Sequence, residues 1–467
     1  MIAPSTVPAA MMGLIFARAG NASWLSFLLG AFGLVLVGLN INQFARRSAT
    51  PGSLYTYIVQ GLGPTAGVLG GLALLFGYML TGMSTLCGFS LIANVLLSDL
   101  VGVQLPTLAW FAIGVVASFC IAFRDIQLSA KTMLAFEGLA LVAVVWLGAL
   151  IWSDKGFAVD PAQVTLQGAT PSGTLVGVVL VVFAFSGFES STSLGHEAMN
   201  PLKNIPKSVI QSVVLAGVFF TTMAYVVVLG FAGSESLAAS EAPLHVLATQ
   251  IGWGKLGTLI NVGILLSYFT CTLASINSSA RILFSMANHG LLNDALGQAH
   301  EENRTPHVAV ALTALATFGI PAALYLSGSG AFDGQAHFAT LCSFGFIVVY
   351  ILTCVAAPVY LRARGELTPR ALASAVGGIA FMLLPVIGTV GIPGSELLPT
   401  PDASGLILFG IFGAYMAAGL AWIIIERIRR PKMVAQLRNA IHNFDLQLAP
   451  LGEPVRPVSR SVDATRR

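Results

Sequence analysis

The chain has 467 residues, of which 56% are hydrophobic and 9% are charged, and its formal net charge at pH 7 is +3. Soluble domains carry about 25% charged residues, so this composition excludes a soluble protein and indicates a polytopic membrane protein. The five cysteines lie in apolar runs without metal-ligand spacing. We expect them to be buried packing residues rather than disulfides or zinc ligands. No metal, cofactor or nucleic acid is expected as a partner.

A membrane-spanning helix needs about 20 mostly apolar residues. By this criterion the chain is an all-α polytopic membrane protein with about twelve spans. The remainder, 427–467, is predicted to be a basic tail, in which Met433 to Leu448 form a short amphipathic helix at the membrane surface. The predicted spans are 2–17, 24–45, 65–98, 105–123, 128–152, 173–194, 207–232, 256–287, 306–326, 336–361, 371–392 and 404–426.

Basic residues are distributed unevenly between the two ends of the predicted spans. Arg18, Lys155 and Lys255 fall on one side, and the remaining 20 of the 23 Lys and Arg residues fall on the other. Because Lys and Arg near span ends favour the cytoplasm, the tail and the even-numbered loops are predicted to be cytoplasmic. The predicted location is the cell membrane, with a cytoplasmic C-terminus.

The first span begins abruptly. Pro4 and Ser5 fall within its first turn, and Ser5 to Ala17 is too short to cross about 30 Å of hydrocarbon. Two interpretations remain open: the segment is a half-helix, or its upstream half has been lost. Met1 is therefore an uncertain start.

A second interruption lies in the stretch from Gly177 to Pro206. Its apolar run breaks at Ser186-Gly187 and restarts at Glu189 within a cluster of hydroxyl residues. Backbone that leaves a helix at membrane depth must be buried in protein or face a cavity, and an ionisable group there indicates function. Interrupted segments at corresponding positions of two halves are typical of a transporter site. A kinked but inert helix is the alternative.

Three motifs then carry a family resemblance: FAFSGFES followed by EAMNPLKNIPKSV, ARRSATPGSLYTYIVQGLGP, and ASINSSARILFSMANHGLLNDAL followed by RTPHVAV. Together they resemble amino acid permeases of the amino acid–polyamine–organocation (APC) superfamily. The resemblance implies a LeuT-like five-plus-five inverted repeat with two extra C-terminal spans, working by alternating access. The corresponding units are repeat one at about 1–152, repeat two at about 173–361 and accessory spans at about 371–426. Relatives have a complete first half-helix, and this chain departs from them there.

The two interruptions supply the predicted substrate contacts. Exposed backbone N–H groups at half-helix ends suit a carboxylate, and unwound carbonyls suit an ammonium group. Ala3, Pro4 and Ser5 form the first face, and Ser186 and Gly187 form the second. For Ser5, a simple helix N-cap remains an alternative.

Three aromatic residues are further candidates for the substrate site. Phe183 and Phe185 flank the second break, and the resemblance places Phe183 where relatives often carry an aromatic gate, commonly tryptophan. Tyr78 in the third span is a second lining candidate, because a buried tyrosine hydroxyl needs a partner. For the phenylalanines, ordinary core or lipid-facing packing is the alternative.

Two acidic residues are candidates for coupling to a proton. Glu189 follows the second break, where relatives carry a glutamate, and a cap on the second half-helix is its alternative. Glu137, in the fifth span, is either a proton carrier or a structural acid. Lys131 is interpreted as an anchor at the cytoplasmic end of that span.

The eighth span carries several polar residues. Oxygens of Thr272, Ser275, Asn277 and Ser278 would suit sodium, but the same residue types also join helices in any bundle. Asn277 and Arg281 lie one turn apart on one face. Arg281 is predicted to take part in the cytoplasmic gate, paired with an acid such as Glu197, or to be an exposed anchor.

These observations favour a secondary active transporter for amino acids or related amines, proton-coupled by symport or exchange. A sodium-coupled symporter and a transport-deficient receptor are the alternatives. An enzyme is not expected, because His196-Glu197 lacks the second histidine of H-E-x-x-H. A channel or an ATP-driven pump is disfavoured for want of a selectivity or nucleotide-binding motif. The substrate and the oligomeric state stay open.

Overall fold

The computed structural model describes residues 3–48, 52–124, 126–195, 198–300, 305–398 and 403–429. These residues form helices and the loops that join them. The predicted amphipathic helix between Met433 and Leu448 lies outside the described residues. The helices are α1 (Met12–Ala19), α2 (Ser23–Ala45), α3 (Ser53–Leu62), α4 (Pro64–Val101), α5 (Thr107–Arg124), α6 (Ile126–Asp154), α7 (Pro161–Val164), α8 (Pro171–Ala184), α9 (Pro201–Gly230), α10 (Pro243–Gln250), α11 (Gly254–Asn288), α12 (His307–Leu326), α13 (Ala331–Ala363), α14 (Pro369–Val390) and α15 (Ala403–Arg429).

Ten helical stretches among the described residues are long and apolar enough to cross a membrane. The first, Val7–Ala45, contains both α1 and α2. They meet at Gly20, whose combination of φ 53° and ψ −133° is readily adopted only by glycine. Helix α8 is apolar but has only 14 residues. The chain is therefore an all-helical, multi-pass membrane protein.

The chain leaves the helix at the predicted point in the sixth span. Helix α8 ends at Ala184, and Gly187 adopts φ 93°, a left-handed conformation that would strain a residue with a side chain. The expected continuation to residue 194 as a second α-helical half is wrong. In its place lies a short 3₁₀ turn, Ser190–Leu194, with Ser53 Oγ 2.7 Å from Thr192 Oγ1.

The beginning of the described chain is also irregular. Residues 3–5 are non-helical, and the backbone N–H and hydroxyl of Thr6 both donate to the Ala3 carbonyl, at 3.1 and 2.7 Å. Wide, π-type turns follow over Val7–Met11 before the regular helix α1. Turns of this kind commonly occur at functional sites.

Small residues allow the central helices to pack closely. A Cβ added to Gly345 of α13 would lie 2.7 Å from the Ala73 carbonyl oxygen of α4. Such contacts between small residues are typical of helix association in membranes. Helices α4 and α13 therefore form a tight pair in the interior, against which the two irregular segments are placed.

Three short helices and one cysteine differ from expectation. Helices α3, α7 and α10 have at most 10 residues, so a search for spans of about 20 residues passes over them. Cys120 is exposed on α5, which corrects the expectation that every cysteine is buried. The other four cysteines are buried, and all five are free thiols.

Candidate functional site

The two irregular segments meet at a small cavity, here called the central cavity. Ala3, Thr6 and Met11 line it from the chain start, and Phe183 and Ser186 line it from the end of α8 and the break. Its volume is about 20 Å³, which is room for about one water molecule. The remaining lining residues are Val7, Thr81, Thr85, Ala184, Tyr268 and Cys271.

Glu189 lies at the same break and is fully buried, with an exposed fraction of 0%. The Tyr78 hydroxyl on α4 donates to Glu189 Oε1, and the Tyr350 hydroxyl on α13 donates to Oε2, each at 2.9 Å. Both donors are neutral. Within the described part of the chain, Glu189 forms no ion pair. The carboxylate therefore joins the broken segment to the central helix pair through hydrogen bonds alone.

Glu137 on α6 contacts the other irregular segment, at the beginning of the described chain. Its Oε1 accepts a hydrogen bond from the backbone N–H of Ser5 at 2.9 Å, and its Oε2 accepts one from the Ser267 hydroxyl on α11. Ser5 lies before the first helical turn, where backbone donors have no partner within a helix. Glu137 thus joins α6 and α11 to the start of the chain.

Comparison of the sequence with models of known protein families identifies the family of this chain. A model of the amino acid permease family matches residues 5–392, a range that includes both acids, the break after Ala184 and all of the first irregular segment except Ala3 and Pro4. The chain belongs to the amino acid permease family. As a permease it is a transporter and not an enzyme.

Several characterised proteins are similar to this permease. The branched-chain amino acid permease BcaP of Bacillus subtilis is 25% identical over 422 residues, covering 88% of this chain and 83% of the relative. BcaP of Lactococcus lactis is 25% identical over 391 residues, covering 80% and 81%. The low-affinity putrescine importer PlaP of Escherichia coli is 21% identical over 471 residues, covering 94% and 95%. These relatives transport different substrates, so family membership alone leaves the substrate of this permease open.

The predicted substrate-site residues fall into two groups in the permease. Ala3, Phe183 and Ser186 line the central cavity. The others do not line it: Ser5 contacts Glu137, Tyr78 contacts Glu189, and Phe185 packs edge-on against Phe220 with ring centroids 5.1 Å apart. Pro4 and Gly187 shape the backbone without lining the cavity.

Two of the alternatives considered for individual residues do not fit. The buried Ser5 Oγ has no hydrogen-bond partner among the described residues, so it does not cap a helix. Glu189 precedes the 3₁₀ turn, but its side chain does not cap it; it contacts the two tyrosines instead.

The polar residues predicted on the eighth span lie on α11, and none of them lines the central cavity. Thr272 Oγ1 is 2.9 Å from Thr85 Oγ1 on α4, a contact that joins two helices. Ser275 is buried, and Asn277 and Arg281 are half-buried. Glu197, the proposed partner of Arg281, lies outside the described residues, as does the side chain of Lys131.

The sequence did not indicate Tyr350, Ser267 or Thr6. Each lies on an apolar or hydroxyl-containing helix with no local irregularity to mark it, except Thr6, which borders the abrupt start. The only sequence signal for these donors was the presence of two acids, Glu189 beside the interruption and Glu137 within the fifth span, because a buried carboxylate requires donors. Which residues supply those donors depends on the packing of distant helices.

Proposed function

We propose that the protein is a secondary active transporter that moves amino acids across the cytoplasmic membrane by alternating access, coupled to protons through symport or exchange. Related amines are the wider substrate class. For this alternating access we propose a five-plus-five inverted repeat with two extra spans. In the proposed orientation, the end of the molecule that carries Arg18 faces outward, and the C-terminal tail is cytoplasmic.

The buried Glu189 carboxylate is the single observation that carries this proposal. It lies at the break that lines the central cavity, and the groups that donate to it are neutral tyrosines. A proton can therefore be taken up or released there without breaking an ion pair. An intramembrane carboxylate of this kind is typical of proton relays in transporters.

The substrate contacts follow from the two irregular segments. Ala3 and Ser186 lie on one cavity, where backbone groups outside regular helices can meet both charges of an amino acid zwitterion. The roles proposed for Ala3, Pro4, Ser5, Ser186 and Gly187 are such backbone contacts. Phe183 is proposed as the aromatic gate above them.

Proteoliposomes that contain the full chain provide the test. Uptake of a panel of radiolabelled amino acids is measured with an inward proton gradient, with an inward sodium gradient, and with neither. We expect uptake to require the proton gradient. Uptake driven only by sodium would overturn proton coupling, and binding without any uptake or counterflow would support the receptor alternative.

A matched pair of variants then tests Glu189 itself. Glu189→Gln keeps the size of the side chain but cannot ionise, so we expect proton-driven uptake to fall by about tenfold or more while counterflow, which needs no net proton movement, falls less. Glu235→Gln, on an exposed turn, serves as the control. Equal loss in both assays would assign Glu189 a structural role.

A further inference from the structure

A second and larger cavity lies at the end of the molecule that carries Arg18, and is here called the Arg18 cavity. Its volume is about 440 Å³, within the range of about 300–1,000 Å³ that small-molecule sites occupy. Residues of α1, α8, α13, α14 and α15 line it. The proposed orientation places it toward the outside of the cell.

The Arg18 cavity and the central cavity follow one another along the same two helices. On α1 and the turns before it, Met11 lines the central cavity and Leu14 lines the Arg18 cavity. Near the end of α8, Phe183 lines the central cavity and Leu180 lines the Arg18 cavity. Three residues of a helix span about 4.5 Å. The two cavities are therefore separated by a barrier about one helical turn thick, to which Phe183 belongs.

Opposite charges line the Arg18 cavity from different helices. Arg18 comes from α1, and Asp333 comes from the first turn of α13. They form no ion pair with each other in the described structure. His337 lies one turn after Asp333 and lines the same cavity. Both charges are thus available to a solute that carries the complementary pair.

The rest of the lining is mainly apolar. Leu14, Leu180, Phe332 and Leu408 contribute hydrocarbon surface. A cavity of mostly apolar surface with a few placed polar groups is the usual form of a small-molecule site. It suits a solute with an apolar side chain and two charges at one end.

We infer that the Arg18 cavity is an outer binding site for a zwitterionic amino acid with an apolar side chain, whose carboxylate contacts Arg18 and whose ammonium group contacts Asp333. From this site the solute enters the central cavity when the Phe183 barrier opens. The inference rests on the proposed transport function and narrows its substrate class. A diamine lacks the carboxylate and would place a positive charge near Arg18, so the site discriminates against it.

Uptake of radiolabelled L-leucine by proteoliposomes at a constant proton gradient tests this site. Three competitors report on its charges: L-valine keeps both charged groups, 3-methylbutylamine lacks the carboxylate, and putrescine carries two ammonium groups. In the wild type we expect L-valine to compete and the two amines to compete at least about tenfold less well.

Two variants remove the proposed contacts separately. Arg18→Gln and Asp333→Asn are each expected to raise KM for L-leucine by about fivefold with kcat retained. Arg18→Gln should also reduce the preference for L-valine over 3-methylbutylamine. Lys255→Gln, at the same end of the molecule but outside the cavity lining, is the matched control and should leave KM unchanged.

A third variant tests the cavity without changing a charge. Ala336→Phe fills space beside His337 and Thr340, and it should raise KM as well. Size-exclusion profiles show whether each variant folds. Arg18 and Asp333 are both exposed and both line the cavity, so we expect the two charge substitutions to leave the fold intact.

The two proposals fail in different ways. A wild-type protein that transports no amino acid overturns the proposed function. A wild-type protein that transports L-leucine, but whose three cavity variants keep KM and competitor preference within about twofold, overturns the outer site alone. A preference for putrescine over both amino acids would overturn the assignment of a zwitterion.

Discussion

Two of the carboxylates that receive two donors each, Glu189 and Glu366, lie in opposite surroundings. Glu189 is fully buried and its donors are the neutral hydroxyls of Tyr78 and Tyr350. The Glu366 side chain is 42% exposed, and it pairs with Arg47 at 2.7 Å and Arg364 at 3.5 Å. The buried carboxylate is therefore held by hydrogen bonds from neutral groups. The exposed carboxylate, on the part of the surface here called the rim, is held by ion pairs.

The difference has a physical reason. A buried ion pair must offset the desolvation of two charges, which its Coulomb attraction often fails to do. A buried carboxylate with two hydroxyl donors desolvates one charge and can take up a proton without leaving a counter-ion behind. At the rim, water screens the charges, so ion pairs form readily there but stabilise little. The interior is accordingly the place where single changes should matter most.

The largest effect is expected for Glu189→Ala. It would leave two buried tyrosine hydroxyls without an acceptor, and each unsatisfied group costs about 1–3 kcal/mol. We expect a clearly lower apparent Tm and loss of proton-driven uptake, measured by thermal unfolding in detergent and by liposome uptake. The exposed Glu235→Ala serves as the control. A variant with wild-type Tm and uptake would contradict the importance of this contact.

Removing the donors one at a time sharpens the same point. Tyr78→Phe and Tyr350→Phe each delete one hydrogen bond to a charged group, a loss of about 1.5–3 kcal/mol. Because both bonds meet at one carboxylate, their effects on stability should not add in a double-mutant cycle. Strictly additive losses would show that the two tyrosines act independently of Glu189.

Glu137 tests whether the other interior acid is structural. Glu137→Gln keeps an oxygen for the Ser5 N–H, whereas Glu137→Leu leaves that donor without its acceptor. We expect the leucine variant to be less stable than the glutamine variant by about 1–3 kcal/mol. If Glu137→Gln abolishes uptake while stability is retained, the proton-carrier interpretation of Glu137 gains support instead.

His289, just after α11, provides a test outside the spans. Burial lowers the pKa of His289 to about 4, and its Nδ1 lies 3.1 Å from the Tyr55 hydroxyl. The unfolded chain, with an ordinary histidine pKa of about 6.5, binds the proton more readily, so stability is full above that pH and falls as pH drops toward 4. His289→Gln should remove this part of the pH dependence, which amounts to at most about 3 kcal/mol. If the variant kept the pH dependence of Tm of the wild type, this role of His289 would be contradicted.

The smallest effect is expected at the rim. The Arg47 guanidinium beside Glu366 holds the pKa of that carboxyl below its ordinary value. Its contribution to stability is therefore present at neutral pH and lost as pH falls through the lowered pKa. Glu366→Gln should change the apparent Tm by about 1 °C or less, because exposed pairs contribute little. A large drop would mean that this pair locks a conformation, and the contrast with Glu189 would fail.

Local patterns were enough to predict much of the fold. The long apolar runs predicted the helices that now appear as α4, α5, α9 and α11 to α15, because hydrocarbon requires about 20 apolar residues. The glycine and carboxylate within one such run predicted the interruption after Ala184. The short helices α3, α7 and α10 were missed, because each has at most 10 residues and falls below the length used to predict a span.

The candidate site was only half predictable. Glu189 and Glu137 stood out because an acid in an apolar run is costly and needs a reason. Tyr350 did not stand out, since a tyrosine in a helix has no local feature that shows where its hydroxyl donates. The placement of Arg18 and Asp333 around one cavity was equally hidden, because they are far apart in the chain.

The sequence by itself determined that this protein spans a membrane, where its helices are interrupted, and that Glu189 lies at one interruption and Glu137 within a span. Each of these follows from the cost of placing polar groups in hydrocarbon, a property of the local stretch. Only the tertiary structure decided that two tyrosines hold Glu189, that Glu137 holds the chain start, and that two cavities follow one another along α1 and α8. Those arrangements depend on which helices pack together, and packing joins residues that no local pattern connects.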